Sequence, residues 1–408
     1  MRSPGSVGGL GPFALVLILA GCGAAYSGTI MPPTSTASAS GTAPAVTASA
    51  HPRTQPTPAP WHFASEVFAA LGDAPVSDAL GAELQGVLEA SANGVGLTAT
   101  VIGPSGTWSG ATGMATAERE MVPDDQMSIG HVTQTIVAAQ VMKLVEAGEL
   151  RLDDLAGDFL PPGLEFDTNG ATIADLLSHR SGLPETLDGP GEWESLPTDP
   201  LRAWTPEEVL PERLERGPVG RAWEFTGTNY TLLGVLIEQA TGRSMAELLR
   251  SGVLAGHGYD RLIYQPDERP TEPMAMPSGA AAATFDQVGG YLPSLAKVTG
   301  EITEANMASD APTLAHWWKA FCAGEIVSQA SLDEMTDFGK RPEYGLGIWD
   351  RQAEYSSSGA LGHIGESFGF GSMALCFPES GTVVVVLANA AEHDVGTTAG
   401  NLWRATGN

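Results

Sequence analysis

The chain has 408 residues, 43% of them hydrophobic and 17% charged, with 50 Gly and 29 Pro. That length allows one large domain or two modest ones, each with a sizeable core. Acidic residues outnumber Lys and Arg 48 to 20, and the formal net charge of −28 excludes binding to nucleic-acid phosphates and to anionic lipid headgroups. Cys22, Cys322 and Cys376 are too few for a disulfide framework or a Cys-rich zinc module.

The run Phe13–Ala20 is too short to span a bilayer as a helix, but it suits the apolar region of a signal peptide. Its basic flank is weak, with Arg2 alone. Leu19-Ala20-Gly21-Cys22 resembles the lipobox of bacterial lipoproteins. The resemblance implies that residues 1–21 are a lipoprotein signal peptide and that the Cys22 thiol is lipidated as the mature N-terminus. An ordinary secretory signal with an incidental cysteine is the alternative. Two or more acyl chains hold a protein stably, so the expected location is the cell membrane, lipid-anchored on its extracytoplasmic face. Residues 22–60 are rich in Ala, Thr, Ser and Pro, with almost no charge and no apolar periodicity. Such a segment cannot bury enough surface to fold and reads as a tether. As a flexible coil it reaches about 35 Å on average, and up to ~115 Å if its prolines extend it. Cys322 and Cys376 are then expected as buried thiols, with a disulfide possible outside the cytosol.

A single domain is expected over residues 61–408, without internal repeats. Gly96–Ile102 alternates like a strand and is followed by the turn Gly103-Pro-Ser-Gly106 and a second short strand. The next element is a helix from about Ile129 to Ala147, capped by Gly148. Between Ile136 and Val145 it carries only Gln140 and Lys143 as polar residues, so it is buried nearly all round. The middle of the chain is helical and loop-rich. Ser372–Phe377 and Thr382–Ala388 flank a Pro-Glu-Ser-Gly turn and read as a hairpin. Its all-apolar second run fits a central strand covered on both faces, and a last helix runs from about Asp394 to Ala405. A sheet built from both ends of the domain with a helical insertion is an α/β (α+β) architecture.

Several motifs then recur in order. They are the buried helix, Thr172-Ile-Ala-Asp-Leu-Leu-Ser-His-Arg-Ser-Gly-Leu-Pro184, Asn229-Tyr-Thr-Leu-Leu-Gly-Val-Leu-Ile-Glu-Gln-Ala-Thr-Gly242, Tyr344-Gly-Leu-Gly347, and Gly362-His-Ile-Gly365 with Gly369-Phe-Gly-Ser372. Together they resemble the serine β-lactamase, DD-peptidase and esterase family of the class C β-lactamase type. The resemblance implies a β-lactamase/transpeptidase-like fold. It also implies a Ser-x-x-Lys pair at the start of the buried helix, where the lysine one turn on can take the serine's proton. Here His131 stands at the serine position and Gln134 at the lysine position. The second motif, Tyr-x-Asn, becomes Phe225 and Gly227, while the third is retained as His363-Ile-Gly365. Phe225 has no titratable group, and Gln134 cannot act as a base near neutral pH.

Other registers fare worse. Ser128 has His131 rather than lysine three residues on. A literal Ser-x-x-Lys at Ser294–Lys297 is a motif expected about 0.3 times by chance, and it lies far along the chain from the buried helix. In another serine hydrolase, loss of the nucleophile alone costs about 10⁶-fold in turnover, ~8 kcal/mol of barrier.

His131 is open to four readings: a drifted residue filling the serine pocket, a hydrogen-bonding group for a ligand beside His363, a nucleophile or base for a new reaction, or a metal ligand with His363. The resemblance gives His179 a backbone-satisfying role, and Trp317-Trp318 reads as helix packing. No cofactor or metal is expected. The leading expectation is a catalytically inactive, lipid-tethered member of the family whose cleft binds a peptidoglycan-derived or acyl ligand. The alternatives are an active esterase or peptidase using His131 and His363, and an envelope scaffold that binds nothing in the cleft. Because the cleft backbone does not depend on the lost side chains, the triple substitution His131→Ser, Gln134→Lys and Phe225→Tyr is expected to return measurable activity, and adding Gly227→Asn to return the side-chain amide of the second motif as well. Cys22→Ala is expected to release the protein from the membrane fraction or to leave the uncleaved precursor. A processed, membrane-bound variant would overturn the lipoprotein reading.

Overall fold

The computed structural model describes residues 62–407 except 186–198, 211–218, 220–221, 257, 279–288, 353 and 356–358. The expected signal peptide and tether lie outside these residues.

The elements follow the chain as α1 (Asp78–Ser91), β1 (Leu97–Gly103), β2 (Gly106–Thr112), α2 (Thr133–Ala147), α3 (Ile173–Leu177), α4 (Thr228–Thr241), α5 (Leu295–Gly300), α6 (Ala311–Cys322), β3 (Leu361–Ser367), β4 (Phe370–Phe377), β5 (Thr382–Ala388) and α7 (Val395–Ala405), with shorter pieces between. The main sheet is antiparallel in the order β2-β1-β5-β4-β3, extended at the β3 edge by a two-residue strand, Trp349–Asp350. β5 is the all-apolar run. It pairs with β1 on one side and β4 on the other, and every one of its residues is buried.

Strand periodicity decides which side chain faces which layer. Val384, Val386 and Ala388 pack with Leu97, Ala99, Val101 and the apolar faces of α1 and α7. Val383, Val385 and Leu387 face the larger core that α2, α4 and α6 complete. α2 is buried from Thr133 to Met142 and ends on Gly148 at φ +72°, a left-handed cap. Trp317 and Trp318 are fully buried, and the Trp317 indole N–H donates to the Val253 carbonyl at 3.0 Å.

Cys322 and Cys376 are joined as a disulfide, not held as two thiols. α6 ends with Cys322 against β4, where Cys376 points into the same core layer. The sequence placed both residues inside but could not place them face to face. The bond closes a stretch of 54 residues, a loop for which chain entropy alone gives about 4 kcal/mol of stabilisation. Cys322→Ala with Cys376→Ala is therefore expected to lower unfolding free energy in urea by about 3–4 kcal/mol. A variant as stable as the parent would show that helix and sheet are held by packing alone.

Candidate functional site

The site forms where the chain enters α2. A short 3-10 turn, Gly130–Val132, sits directly against β3. Two glycines permit that approach. Gly130 has φ +49°, and a Cβ there would run into the backbone of Glu366, while a Cβ on Gly365 would run into the Ile129 carbonyl. Ser372 on β4 completes the join by donating its hydroxyl to that carbonyl at 2.7 Å.

Gln134 lies one turn beyond His131 and is fully buried. Its Oε1 accepts from His179 Nε2 at 3.0 Å and from the Tyr344 hydroxyl at 3.1 Å, while its Nε2 is buried without a partner. His179 must carry its proton on Nε2, because Nδ1 accepts from the Thr226 N–H at 3.3 Å and lies 3.1 Å from Asn229 Nδ2. The Ser181 hydroxyl holds Asn229 Oδ1 at 2.6 Å. Tyr344 also meets His363 Nε2 at 2.9 Å, and His363 Nδ1 donates to the Ile364 carbonyl at 2.6 Å. One hydroxyl proton on Tyr344 thus serves two acceptors. Burial pushes His363 down to about 3 and His179 well below the usual histidine value, so both rings are neutral.

His131 faces the other way. Its side chain is 22% exposed, and Nε2 lies 3.2 Å from Oε1 of Glu304, which is 4% exposed. Phe225 packs edge-on to the His131 ring at 5.1 Å and against His179 at 4.6 Å. A side chain at Gly227 would overlap the Glu304 carboxyl, which fills the space beside it. The Gly227 N–H donates to Glu185 Oε2 at 2.6 Å, so two carboxyls converge on this glycine. His131 and His363 thus hydrogen-bond to different partners, Glu304 and Tyr344. Among the described residues no group of three or more His, Cys, Asp or Glu is placed to hold a metal ion.

The remote Ser-x-x-Lys returns here in another role. Ser294 caps α5, its hydroxyl oxygen accepting from the Lys297 N–H at 3.2 Å. Lys297 pairs with Glu301, and the two side chains are 2% and 3% exposed. Burial pushes Lys297 down and Glu301 up to about 7. Glu304 rises to about 8, first through burial and then through the charge of Glu185. Burial also lowers His131, against the pull of Glu301. Glu304, Glu301 and Glu185 were missed by the sequence reading, which weighed Lys297 only as part of the Ser294–Lys297 motif. The spacing Lys297-x-x-x-Glu301 was visible as an i,i+4 helix pair, but such pairs are ordinarily solvent-exposed.

A pH signature follows. Glu304 keeps its proton in the folded chain up to about pH 8, whereas the unfolded chain releases it near the ordinary value of 4.5. Its contribution to stability is complete below that value and is lost as pH rises towards 8. The melting temperature of Glu304→Gln, relative to the parent, is expected to climb between pH 5 and pH 8. A difference that stays flat over that range would mean that Glu304 is ionised throughout.

Residues 82–406 match the beta-lactamase family. Penicillin-binding protein 4* of Bacillus subtilis (strain 168) is 22% identical over 300 residues, 68% of this chain and 63% of that protein. Penicillin-binding protein 4 of Amycolatopsis lactamdurans is 32% identical over 170 residues, 40% of this chain and 41% of that protein. The chain thus spans less than two thirds of the length of these curated relatives. D-amino acid amidase from Ochrobactrum anthropi SV3, in complex with L-phenylalanine amide, superposes with a TM-score of 0.68 at 22% identity, covering 81% of this chain and 99% of that one. The octameric penicillin-binding protein homologue from Pyrococcus abyssi gives 0.65 at 23% identity, over 81% and 77% of the two chains. The match covers most of the domain, and the chain belongs to the beta-lactamase family, of the serine β-lactamase and DD-peptidase type.

Proposed function

We propose that this chain is a lipid-anchored, extracytoplasmic member of the family that binds a peptidoglycan-derived or acyl ligand beside His131 without forming an acyl-enzyme. The state of Gln134 carries this reading. At the position where the resemblance implies a lysine base stands a neutral amide, fully buried and clamped by His179 and Tyr344. It has no proton-accepting role to offer a nucleophile. His131 could not be replaced in that role by a nearby serine. Ser128 is 1% exposed and lies against the Gly130 N–H, and Ser294 is buried as a helix cap.

Ligand binding is supported by the names of the relatives, which are penicillin-binding proteins, and by the amidase held with an amino acid amide. Placement outside the cytosol is supported by the Cys322–Cys376 disulfide, a bond rare in reducing compartments. Anchoring rests on Leu19–Cys22. Among the described residues no helix is long and apolar enough to cross a membrane.

Intact mass spectrometry after exposure to a fluorescent penicillin is expected to show no covalent adduct. An adduct mapped to Ser128 or Ser294 would overturn the reading. The structure also revises how the site can be re-armed. His131→Ser, Gln134→Lys and Phe225→Tyr should remain unacylated while Glu304 fills the space needed by Gly227→Asn, and acylation should follow once Glu304→Ala is added. Acylation of the triple variant alone would show that Glu304 is no obstacle.

A further inference from the structure

A buried pair to which the cleft gives no role stands at the end of α5. Lys297 lies in the last turn of that helix and Glu301 caps it, the Glu301 N–H donating to the Lys297 carbonyl at 3.0 Å. Residues four apart share a helix face, and here the Lys297 ammonium meets Glu301 Oε1 directly. Pairs of this spacing normally lie in water. These two side chains are 2% and 3% exposed.

Such burial disfavours the ionised pair. Two charges taken out of water are well held only when their remaining lone pairs and protons find partners. Glu301 Oε2 is buried and accepts no hydrogen bond from the described residues. The neutral forms gain accordingly. Burial draws Lys297 down, against the pull of Glu301, and pushes Glu301 up to about 7. A neutral amine is a nucleophile, and a protonated carboxyl is an acceptor that can lose water. A third group completes the set. Glu304, raised to about 8, lies within electrostatic reach of both side chains. Its N–H donates to the Glu301 carbonyl at 3.2 Å, so one turn of chain holds the two carboxyls together.

We propose that Lys297 and Glu301 condense inside the folded chain to a side-chain amide, with Glu304 carrying the proton. The ammonium first gives a proton to the Glu301 carboxylate. The freed amine attacks Glu301 Cδ, so that the Nζ–Cδ bond forms and one C–O bond breaks. The departing oxygen keeps the proton it already holds and receives a second, taken from Nζ and passed through the Glu304 carboxyl. It leaves as water, and nothing is oxidised or reduced. The product has lost both charges, and an amide carbonyl is far easier to keep from water than a carboxylate. The new link fastens the end of α5 to the turn that sets Glu304 beside His131.

Peptide mapping of the whole processed chain, denatured before digestion, tests this. Trypsin cuts after lysine and arginine, so free side chains would give one peptide ending at Lys297 and another beginning at Val298. The condensed chain should resist cutting there. It should give a single peptide from Leu262 to Lys319, lighter than its sequence by one water, since the Arg269–Pro270 bond also resists trypsin. Fragmentation of that peptide should yield no ions from breaks between Lys297 and Glu301, because the amide closes a ring across them. Glu304→Gln should leave most of the chain uncondensed and open to cutting at Lys297. Full cutting at Lys297 in the parent, or a missed cut at unchanged mass, would overturn the amide and leave an ion pair. Undiminished condensation in Glu304→Gln would overturn the proton transfer assigned to Glu304.

Discussion

Everything at this site hangs on how closely the turn Gly130–Val132 lies against β3. Gly130 and Gly365 remove the two side chains that would keep the turn and the strand apart, and Ser372 ties the Ile129 carbonyl to the sheet. That join fixes the start of α2 and with it the directions taken by His131 and Gln134. A helix buried on nearly all sides cannot slide to relieve a poor fit at its end. The geometry is thus set by backbone approach, which survives even where the side chains of the motif have changed.

Two separate polar systems have grown on that frame. One is a neutral network running from Ser181 through Asn229, His179, Gln134 and Tyr344 to His363. It uses groups that are uncharged in their buried positions, and it stiffens the packing around Gln134. The other is ionisable, and it joins His131 to Glu304, with Glu185, Lys297 and Glu301 around them. Phe225 touches the first at His179 and the second at His131. A tyrosine at this position would add a hydroxyl between the two systems.

The fold was legible because its signals are local. β1, β4 and β5 announce themselves by alternation or by an unbroken apolar run, and α2 by its polar-poor stretch and Gly148. The positions His131, Gln134, Phe225, Gly227, His363 and Gly365 were legible through motif order. Their partners were not. Glu304 meets His131 across 173 positions of chain, and nothing in Glu301-Ile-Thr-Glu304 distinguishes it from a solvated turn. Cys322 and Cys376 were legible as interior residues, since each lies in an apolar run, but their pairing depends on where α6 docks. The substitution of Asn by Gly at position 227 read as a loss. In the fold the Glu304 carboxyl fills the space that a side chain at 227 would need.

The pairing of β1 with β5 carries a consequence for how such a chain comes into being. Leu97 lies opposite Ala388, so the two ends of the domain meet in the middle of the sheet. Contacts of such long range are slow to form, since most of the chain must be gathered before they repay the entropy lost. A polypeptide delivered amino end first has no finished sheet until its last few dozen residues arrive. Until then β1 waits with an unpaired edge, and when Thr382–Ala388 emerges it is a bare, uncharged β-forming segment of the kind that aggregates readily. Assembly of this protein is accordingly an end-game. The molecule depends on whatever keeps its early strands apart from those of its neighbours while the closing strand is still on its way.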